Sequence, residues 1–367
     1  MAITPRTPLL NPDLVRPDSS KSVPRLSDRL WLDKNENLDP ILLEFTAGIL
    51  RNIDPSNLAT YPEPAALYRK LAAWLDVAPD ALILTPGSDG AIRLTFEAFV
   101  GEGDTVAHTL PTFAMYPVYC QMFGAQAEPV NYERGPRGPS LTSERILAHL
   151  SKVKPRLFCL PNPDSPTGTV LSLDELRAIV DLCARLDTIV LIDEAYHPFH
   201  DATCVPWTRE SRHLVVARTF AKAWGLAGLR IGYAVGHPET IRYYHKLRPM
   251  YELGAFSIAF VERMLDHVDV MEASVQRIND GKRYFSGQMA ALGFDVLPTH
   301  GNFQHVAFGA HAEAIHAALE GRVLYRKDFK DECLRGYTRF SMTTMEKIAP
   351  IVEAIRCVTL GERRQTT

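Results

Sequence analysis

The spacing of hydrophobic positions changes several times along the chain, and each change marks an element. Residues 1–30 are polar and Pro-rich with no sustained period, which predicts an arm lying over another surface. From Ala65, the positions Leu67, Leu71, Trp74 and Leu75 fall on one face of a helical repeat. Short apolar runs of β type follow at 81–84, 105–107, 156–160, 189–192 and 214–217, separated by helical stretches. Strands buried on both faces read as such runs, so the alternation predicts a mainly parallel sheet with helices on both sides. One of those helices is marked by a capping box, Ser172 with Glu175, ahead of the stripe Leu176, Ile179, Val180 and Cys183. Residues 129–140, with three prolines and two glycines, are expected as a surface loop. Past 255 the pattern predicts a long helical region to 292, a strand at 303–308, a helix at 312–319, strands near 323–326 and 337–342, and a closing helix at 344–357. The expected organisation is an arm (1–30), a large α/β domain (31–255) and a smaller α+β domain (256–367).

Composition narrows the class. A chain of 367 residues, 46% hydrophobic and 23% charged, is an ordinary globular protein with room for about two domains. Forty Lys+Arg against 43 Asp+Glu leave a net charge of −3, so neither nucleic acid nor an anionic membrane is an expected partner, and any bound anion must be held locally. The six cysteines are far apart, form no Cys-x-x-Cys, and in part sit inside apolar runs, as reduced core thiols do. The first twenty residues carry four prolines and several charges where a signal peptide would be apolar, and no stretch approaches the roughly 18 apolar residues of a membrane span. A cytoplasmic protein is expected.

Candidate chemistry lies at the ends of the predicted strands, where an open α/β sheet places its ligand. Pro86-Gly87-Ser88-Asp89-Gly90 follows the first strand and opens a helix, offering free backbone N–H groups to a phosphate, although an ordinary turn has the same composition. Pro161-Asn162-Pro163-Asp164-Ser165-Pro166-Thr167-Gly168 follows the third, and no regular element can run through it. Asp193-Glu194-Ala195-Tyr196 follows the fourth, and a carboxylate at the end of a buried strand is costly unless it meets a cation. His197, His200 and Asp201 raise the question of a metal, but Pro198 breaks their helical spacing and none is expected. After the fifth strand, Lys222 sits between Ala221 and Ala223-Trp224 in an apolar, Gly-rich segment. Burial lowers a lysine pKa, and a buried amine is what Schiff-base chemistry uses; a snorkelling surface lysine is the plainer alternative.

Together these segments resemble the class I/II pyridoxal-phosphate aminotransferases of fold type I, and within them the histidinol-phosphate aminotransferase-like branch. The resemblance runs from Lys34-Asn35-Glu36-Asn37 through Tyr61-Pro62-Glu63-Pro64, Gly87-Ser88-Asp89, Pro111-Thr112-Phe113-Ala114-Met115-Tyr116, Pro166-Thr167-Gly168, Asp193-Glu194-Ala195-Tyr196 and the Lys222 segment to Tyr337-Thr338-Arg339-Phe340. It implies that Lys222 carries pyridoxal 5′-phosphate and moves the substrate proton. Asp193 would pair with the ring nitrogen, Phe113 stack on the ring and Tyr196 donate to its phenolate oxygen. Thr219, Arg230 and the Ser88–Asp89 amides would hold the phosphate, with Tyr61 reaching it from the other subunit of a homodimer. Arg326 and Arg339 would bind the anionic groups of the substrate, beside Asn35.

The chain departs from the family's pattern twice. Ser165 stands where an asparagine usually donates to the ring phenolate, and Ala221 where a serine often binds the phosphate. The expected activity is transamination between a small amino acid or amino phosphate, histidinol phosphate foremost, and a 2-oxo acid such as 2-oxoglutarate. The alternatives are a decarboxylase of a phosphorylated amino acid and, from another class, a non-enzymatic cofactor-binding regulator, for whose DNA-binding domain the arm is too short.

Overall fold

The computed structural model describes residues 5–16 and 28–365. In chain order the strands are β1 (Leu30–Trp31), β2 (Leu82–Thr85), β3 (Thr105–Leu110), β4 (Gln126–Asn131), β5 (Glu133–Gly135), β6 (Gly138–Ser140), β7 (Leu157–Pro161), β8 (Ile189–Asp193), β9 (Leu214–Thr219), β10 (Gly232–Gly236), β11 (Asp295–Val296), β12 (Phe303–Ala307), β13 (Val323–Leu324) and β14 (Thr338–Ser341). The helices are α1 (Pro40–Arg51), α2 (Ala65–Leu75), α3 (Gly87–Phe99), α4 (Met115–Phe123), α5 (Ser143–Val153), α6 (Leu173–Arg185), α7 (Pro238–Leu247), α8 (Ala255–Met264), α9 (Val268–Ala291), α10 (Ala312–Leu319) and α11 (Met345–Gln365).

Seven strands form the main sheet in the order β2-β10-β9-β8-β7-β3-β4. Strand side chains alternate between faces, and both faces here are apolar, so the sheet needs two helical layers. Leu157 and Cys159 of β7 join one core with Ile92, Phe96, Tyr116 and Tyr244 of α3, α4 and α7. Phe158 and Leu160 join the other with Leu67, Ile146, Ile179 and Ile258 of α2, α5, α6 and α8. Helix α6 begins at the capping box, with both reciprocal bonds of Ser172 and Glu175 present.

Three features depart from the sequence reading. Strand β10 lies antiparallel between β2 and β9, hidden from the pattern because its short apolar run follows a Gly-rich loop. The expected loop 129–140 starts inside β4 and continues as the hairpin β5–β6; β4 is an exposed edge strand and so lacks an apolar run. The helical region 255–292 is two helices: α8 packs on α1 and α2, whereas α9 packs on α11.

A three-stranded antiparallel sheet, β11-β12-β14, builds a second core with α9, α10 and α11 around Phe285, Phe308, Ile315, Phe340 and Ile348. Leu32 is buried in that core, because β1 runs parallel to β13. The chain therefore leaves the second core at Leu32 and crosses to the main sheet through residues 33–37. The described part of the arm leans on α4, where Arg6 Nη2 donates to Met122 O at 3.0 Å.

Candidate active site

The carboxyl ends of β7, β8 and β9, the start of α3, the strap 33–35 and the turn after β13 enclose a cavity of about 430 Å³. Asn35, Ser88, Asp89, Phe113, Ser165, Asp193, Tyr196, Thr219, Lys222, Arg230, Arg326 and Arg339 all line it. Of the expected site residues only Tyr61 is elsewhere: it is 73% exposed and stacks on Tyr251, ring centroids 4.3 Å apart.

One wall is an anion cradle. Helix α3 starts at Gly87, so its first amides point out of the helix end unpaired by helical bonds. Gly87 has φ +73°, and a Cβ there would lie 2.8 Å from Arg230 Nη2. Gly232 is tighter still, since a Cβ would come within 2.5 to 2.7 Å of Gly87 C, Arg218 O and Ser88 N. Two glycines thus let β10, β9 and the start of α3 touch, which brings Arg230 and Thr219 beside the free amides. Thr219 Oγ1 also accepts from Ala221 N at 3.1 Å, which shapes the turn into Lys222.

Lys222 Nζ donates to Lys34 O at 2.7 Å and lies 5.8 Å from the Tyr196 ring centroid. Burial holds this amine below the ordinary lysine range; Tyr196 opposes the shift and Arg339 adds to it. Asp193 closes β8 and is pushed up to about 6, chiefly by burial. Its Oδ2 accepts from Tyr116 Oη and its Oδ1 from Ala195 N, both at 3.0 Å. The Tyr196 hydroxyl accepts from Asn35 Nδ2 at 2.8 Å. Asn35 is itself fixed, taking the left-handed conformation with φ 56° and bonding Ser341 Oγ through its N–H at 2.7 Å.

Two further guanidinium groups line the same cavity. Arg326 and Arg339 exchange both backbone hydrogen bonds, at 2.9 and 2.7 Å, and residues so paired place their side chains on one face. Both reach Asp33 O, at 3.4 and 3.2 Å. Arg339 is buried over the Phe303 ring, and its Nε has no hydrogen-bond partner. Ser165 lines the floor, while its neighbours are committed elsewhere. Asn162 Oδ1 accepts from Leu171 N at 2.8 Å, and Asp164 accepts from Thr167 N, Thr167 Oγ1 and Thr109 Oγ1 at 3.2, 2.7 and 3.1 Å.

Several contributors escaped the sequence reading. Tyr116 was visible only as the last residue of a motif. Glu194 and Arg218 form a buried ion pair, with Nε and Nη2 at 3.0 and 2.8 Å from Oε2, that ties the end of β8 to the end of β9. Their signal was adjacency, each being next to a cavity residue. Phe329 and the Asp33 and Lys34 carbonyls lie on segments that carry no periodic pattern. Among the described residues, no group of three or more His, Cys, Asp or Glu is placed to hold a metal.

A profile of the family described as aminotransferase class I and II matches residues 27–355. The histidinol-phosphate aminotransferase of Caldanaerobacter subterraneus is 30% identical over 328 residues, 89% of this chain and 92% of that protein. That of a Thermoanaerobacter species is 31% identical over 321 residues, covering 87% and 90%. Among solved structures, histidinol-phosphate aminotransferase from Sinorhizobium meliloti in complex with pyridoxal-5′-phosphate superposes with a TM-score of 0.77 at 22% identity, covering 90% of this chain and 91% of that one. L-threonine-O-3-phosphate decarboxylase from Porphyromonas gingivalis gives 0.73 at 20% identity, covering 89% and 98%. At these identities the two structures speak for the fold.

Proposed function

The chain belongs to the class I and II aminotransferase family, and from that premise we propose that it moves an amino group between an amino phosphate, histidinol phosphate foremost, and 2-oxoglutarate. Its cofactor is pyridoxal 5′-phosphate. The observation that carries this reading is the meeting in one cavity of a buried amine, a buried carboxylate and an amide-rich helix start backed by a guanidinium.

The donor set fits that cofactor. The first amides of α3, Ser88, Thr219 and Arg230 suit its phosphate, Asp193 its ring nitrogen, Phe113 its ring face, Tyr196 its phenolic oxygen and Lys222 its carbonyl carbon. When bound, the ring withdraws electrons from the substrate's Cα. Asp193 keeps the ring nitrogen protonated: two unit charges about 4 Å apart attract by roughly 4 kcal/mol at an effective dielectric near 20. Lys222, its proton affinity lowered by burial, would take the proton from the substrate's Cα and deliver it to the cofactor's C4′, the carbon that this lysine had held. Arg326 and Arg339, side by side on one wall, suit a dianion, the phosphate in one half-reaction and the 2-oxo acid carboxylates in the other. Relatives at 30–31% identity bear the name of that phosphate's aminotransferase, which supports the same donor.

The same reading makes the protein a cytoplasmic homodimer in which Tyr61 serves the partner's phosphate cradle, and it takes 31–255 as cofactor domain and 256–367 as the small domain that brings Arg326 and Arg339. What supports the dimer is the exposure of Tyr61 and Tyr251, stacked on each other, and of Leu58 and Met250, their near neighbours in the chain. Its cysteines are free thiols, and no described helix is long and apolar enough to cross a membrane.

The test is to load the protein with pyridoxal 5′-phosphate, reduce with borohydride and map the labelled peptide. A label on Lys222 is expected, and one on Lys246 or any other lysine would overturn the site. In a separate, unreduced sample, histidinol phosphate with 2-oxoglutarate should yield glutamate. Release of carbon dioxide from a phosphorylated amino acid, without glutamate, would identify a decarboxylase.

A further inference from the structure

Helix α4 carries two tyrosines three residues apart, and each donates its hydroxyl to a carboxylate of the cavity wall. Tyr116 reaches Asp193 Oδ2 and Tyr119 reaches Asp89 Oδ1, both at 3.0 Å. We propose that Tyr116 is a positioning residue for the cofactor's ring nitrogen, its hydroxyl keeping the Asp193 carboxylate ionised and turned toward the cavity. This rests on the reading of the cavity as a pyridoxal-phosphate site.

The electrostatics around Asp193 give the hydroxyl its work. The strongest charge effects on Asp193 come from carboxylates, Asp89 on α3, Glu194 next to it and Asp164 after β7, with the Cys159 thiol nearby on β7; Lys222 and Arg230 line the same cavity. The carboxylates and the thiol, with burial, favour the protonated acid. What opposes them most is two hydrogen bonds. The Ala195 N–H would be present whatever the side chains, so the sequence contributes one donor, Tyr116. Its ring is fully buried in the apolar core between α3, α4 and the sheet, and packs edge-on to Phe113 with centroids 5.8 Å apart. A phenylalanine would fill that space without the cost of desolvating a hydroxyl, so the hydroxyl is accounted for by the bond to Asp193. Burial and Asp193 raise the phenol's own pKa, so it stays a neutral donor at working pH.

Tyr116→Phe keeps the ring and removes the donor. The dissociation constant for pyridoxal 5′-phosphate, read from the visible absorbance, should be compared with the wild type at pH 6 and at pH 8.5. Without the hydroxyl Asp193 holds its proton to higher pH, so the variant should bind about tenfold more weakly at pH 6 and nearly equally at pH 8.5. A structural loss alone would weaken binding equally at both pH values, and that result, or no change at either, would overturn the proposal. Should Tyr116→Phe not fold, 3-fluorotyrosine at position 116, a stronger donor of nearly the same shape, should shift the pH 6 ratio the opposite way; no shift would equally overturn it. Adding Tyr116→Phe to Asp193→Asn should leave the constant unchanged at both pH values. A wild type that binds no pyridoxal 5′-phosphate would sink the cofactor reading itself, whereas binding with a flat ratio sinks only the role of Tyr116.

Discussion

Arg326 and Arg339 share one wall but differ in surroundings, and that difference sets what each contributes. Arg339 is buried with an unpartnered Nε, so an anion gives it the hydrogen bonds it lacks; Arg326 is exposed and its interactions are screened by solvent. Arg339→Ala should lower kcat/KM for the anionic substrate by about 1.5–3 kcal/mol, or roughly 10- to 150-fold, and Arg326→Ala by less, with cofactor affinity unchanged in both. Loss of the cofactor from either variant would refute the assignment. Ser165 lines the cavity while Asn162 and Asp164 are tied to Leu171, Thr167 and Thr109, so neither neighbour is free to replace the asparagine that the family carries at position 165. Ser165→Asn should therefore add a donor to the cofactor's phenolate and lower the pKa of its visible band in a pH titration; an unchanged titration would show that the serine already makes that contact. Asp164 is fully buried and pushed up to about 7, chiefly by burial. A carboxyl whose folded pKa is raised is protonated in the fold and ionised in the unfolded chain between about pH 4 and 7, so stability falls as pH rises through that window and levels off above it. The full cost is about 4 kcal/mol at 1.36 kcal/mol per unit. Urea unfolding of the cofactor-free protein should show that slope, and Asp164→Asn should make it shallower, leaving the part due to Asp193, which burial also raises, to about 6.

At the scale of elements, the site depends on β10, the strand least visible in the pattern. Inserted antiparallel between β2 and β9, it brings Gly232 against the start of α3 and leaves Arg230, two residues earlier, over the cradle. A Cβ at 232 would meet backbone atoms at three points, none of which can rotate away. Gly232→Ala should cost about 1–3 kcal/mol in urea unfolding and, because it pushes Ser88 from Arg230, should weaken pyridoxal 5′-phosphate binding as well. Destabilisation without loss of cofactor affinity would mean that the strain is absorbed away from the cradle. The Glu194–Arg218 pair acts at the same scale: buried, with two Arg218 nitrogens donating to one carboxylate oxygen, it fixes the ends of β8 and β9, where Asp193 and Thr219 are carried. Breaking one partner alone would leave an uncompensated buried charge, so the clamp is more costly to lose than a surface pair.

For the whole molecule, the unfilled requirement is Tyr61, exposed and remote from its own cavity. A homodimer should sediment at twice the 41.0 kDa chain mass at micromolar concentration, and Tyr61→Phe should weaken cofactor binding without changing that mass; full activity in a monomer would refute the shared site. The sequence by itself determined the layered α/β architecture, because strands buried on both faces must be continuous apolar runs and helices that cover them must carry one apolar stripe. It also marked Lys222, Asp193 and the Gly87-Ser88-Asp89 turn, because a charge or a glycine at the end of an apolar run breaks the local pattern. The edge strand β4, the hairpin β5–β6 and the inserted β10 left little apolar signal, since their pairing is made by backbone groups that every residue carries. Only the tertiary structure decided that Tyr116 hydrogen-bonds Asp193, that Glu194 meets Arg218, and that the Asp33 and Lys34 carbonyls reach Lys222, Arg326 and Arg339. Those contacts join segments up to 306 residues apart, and no local pattern specifies which distant donor a buried charge will find when the chain closes.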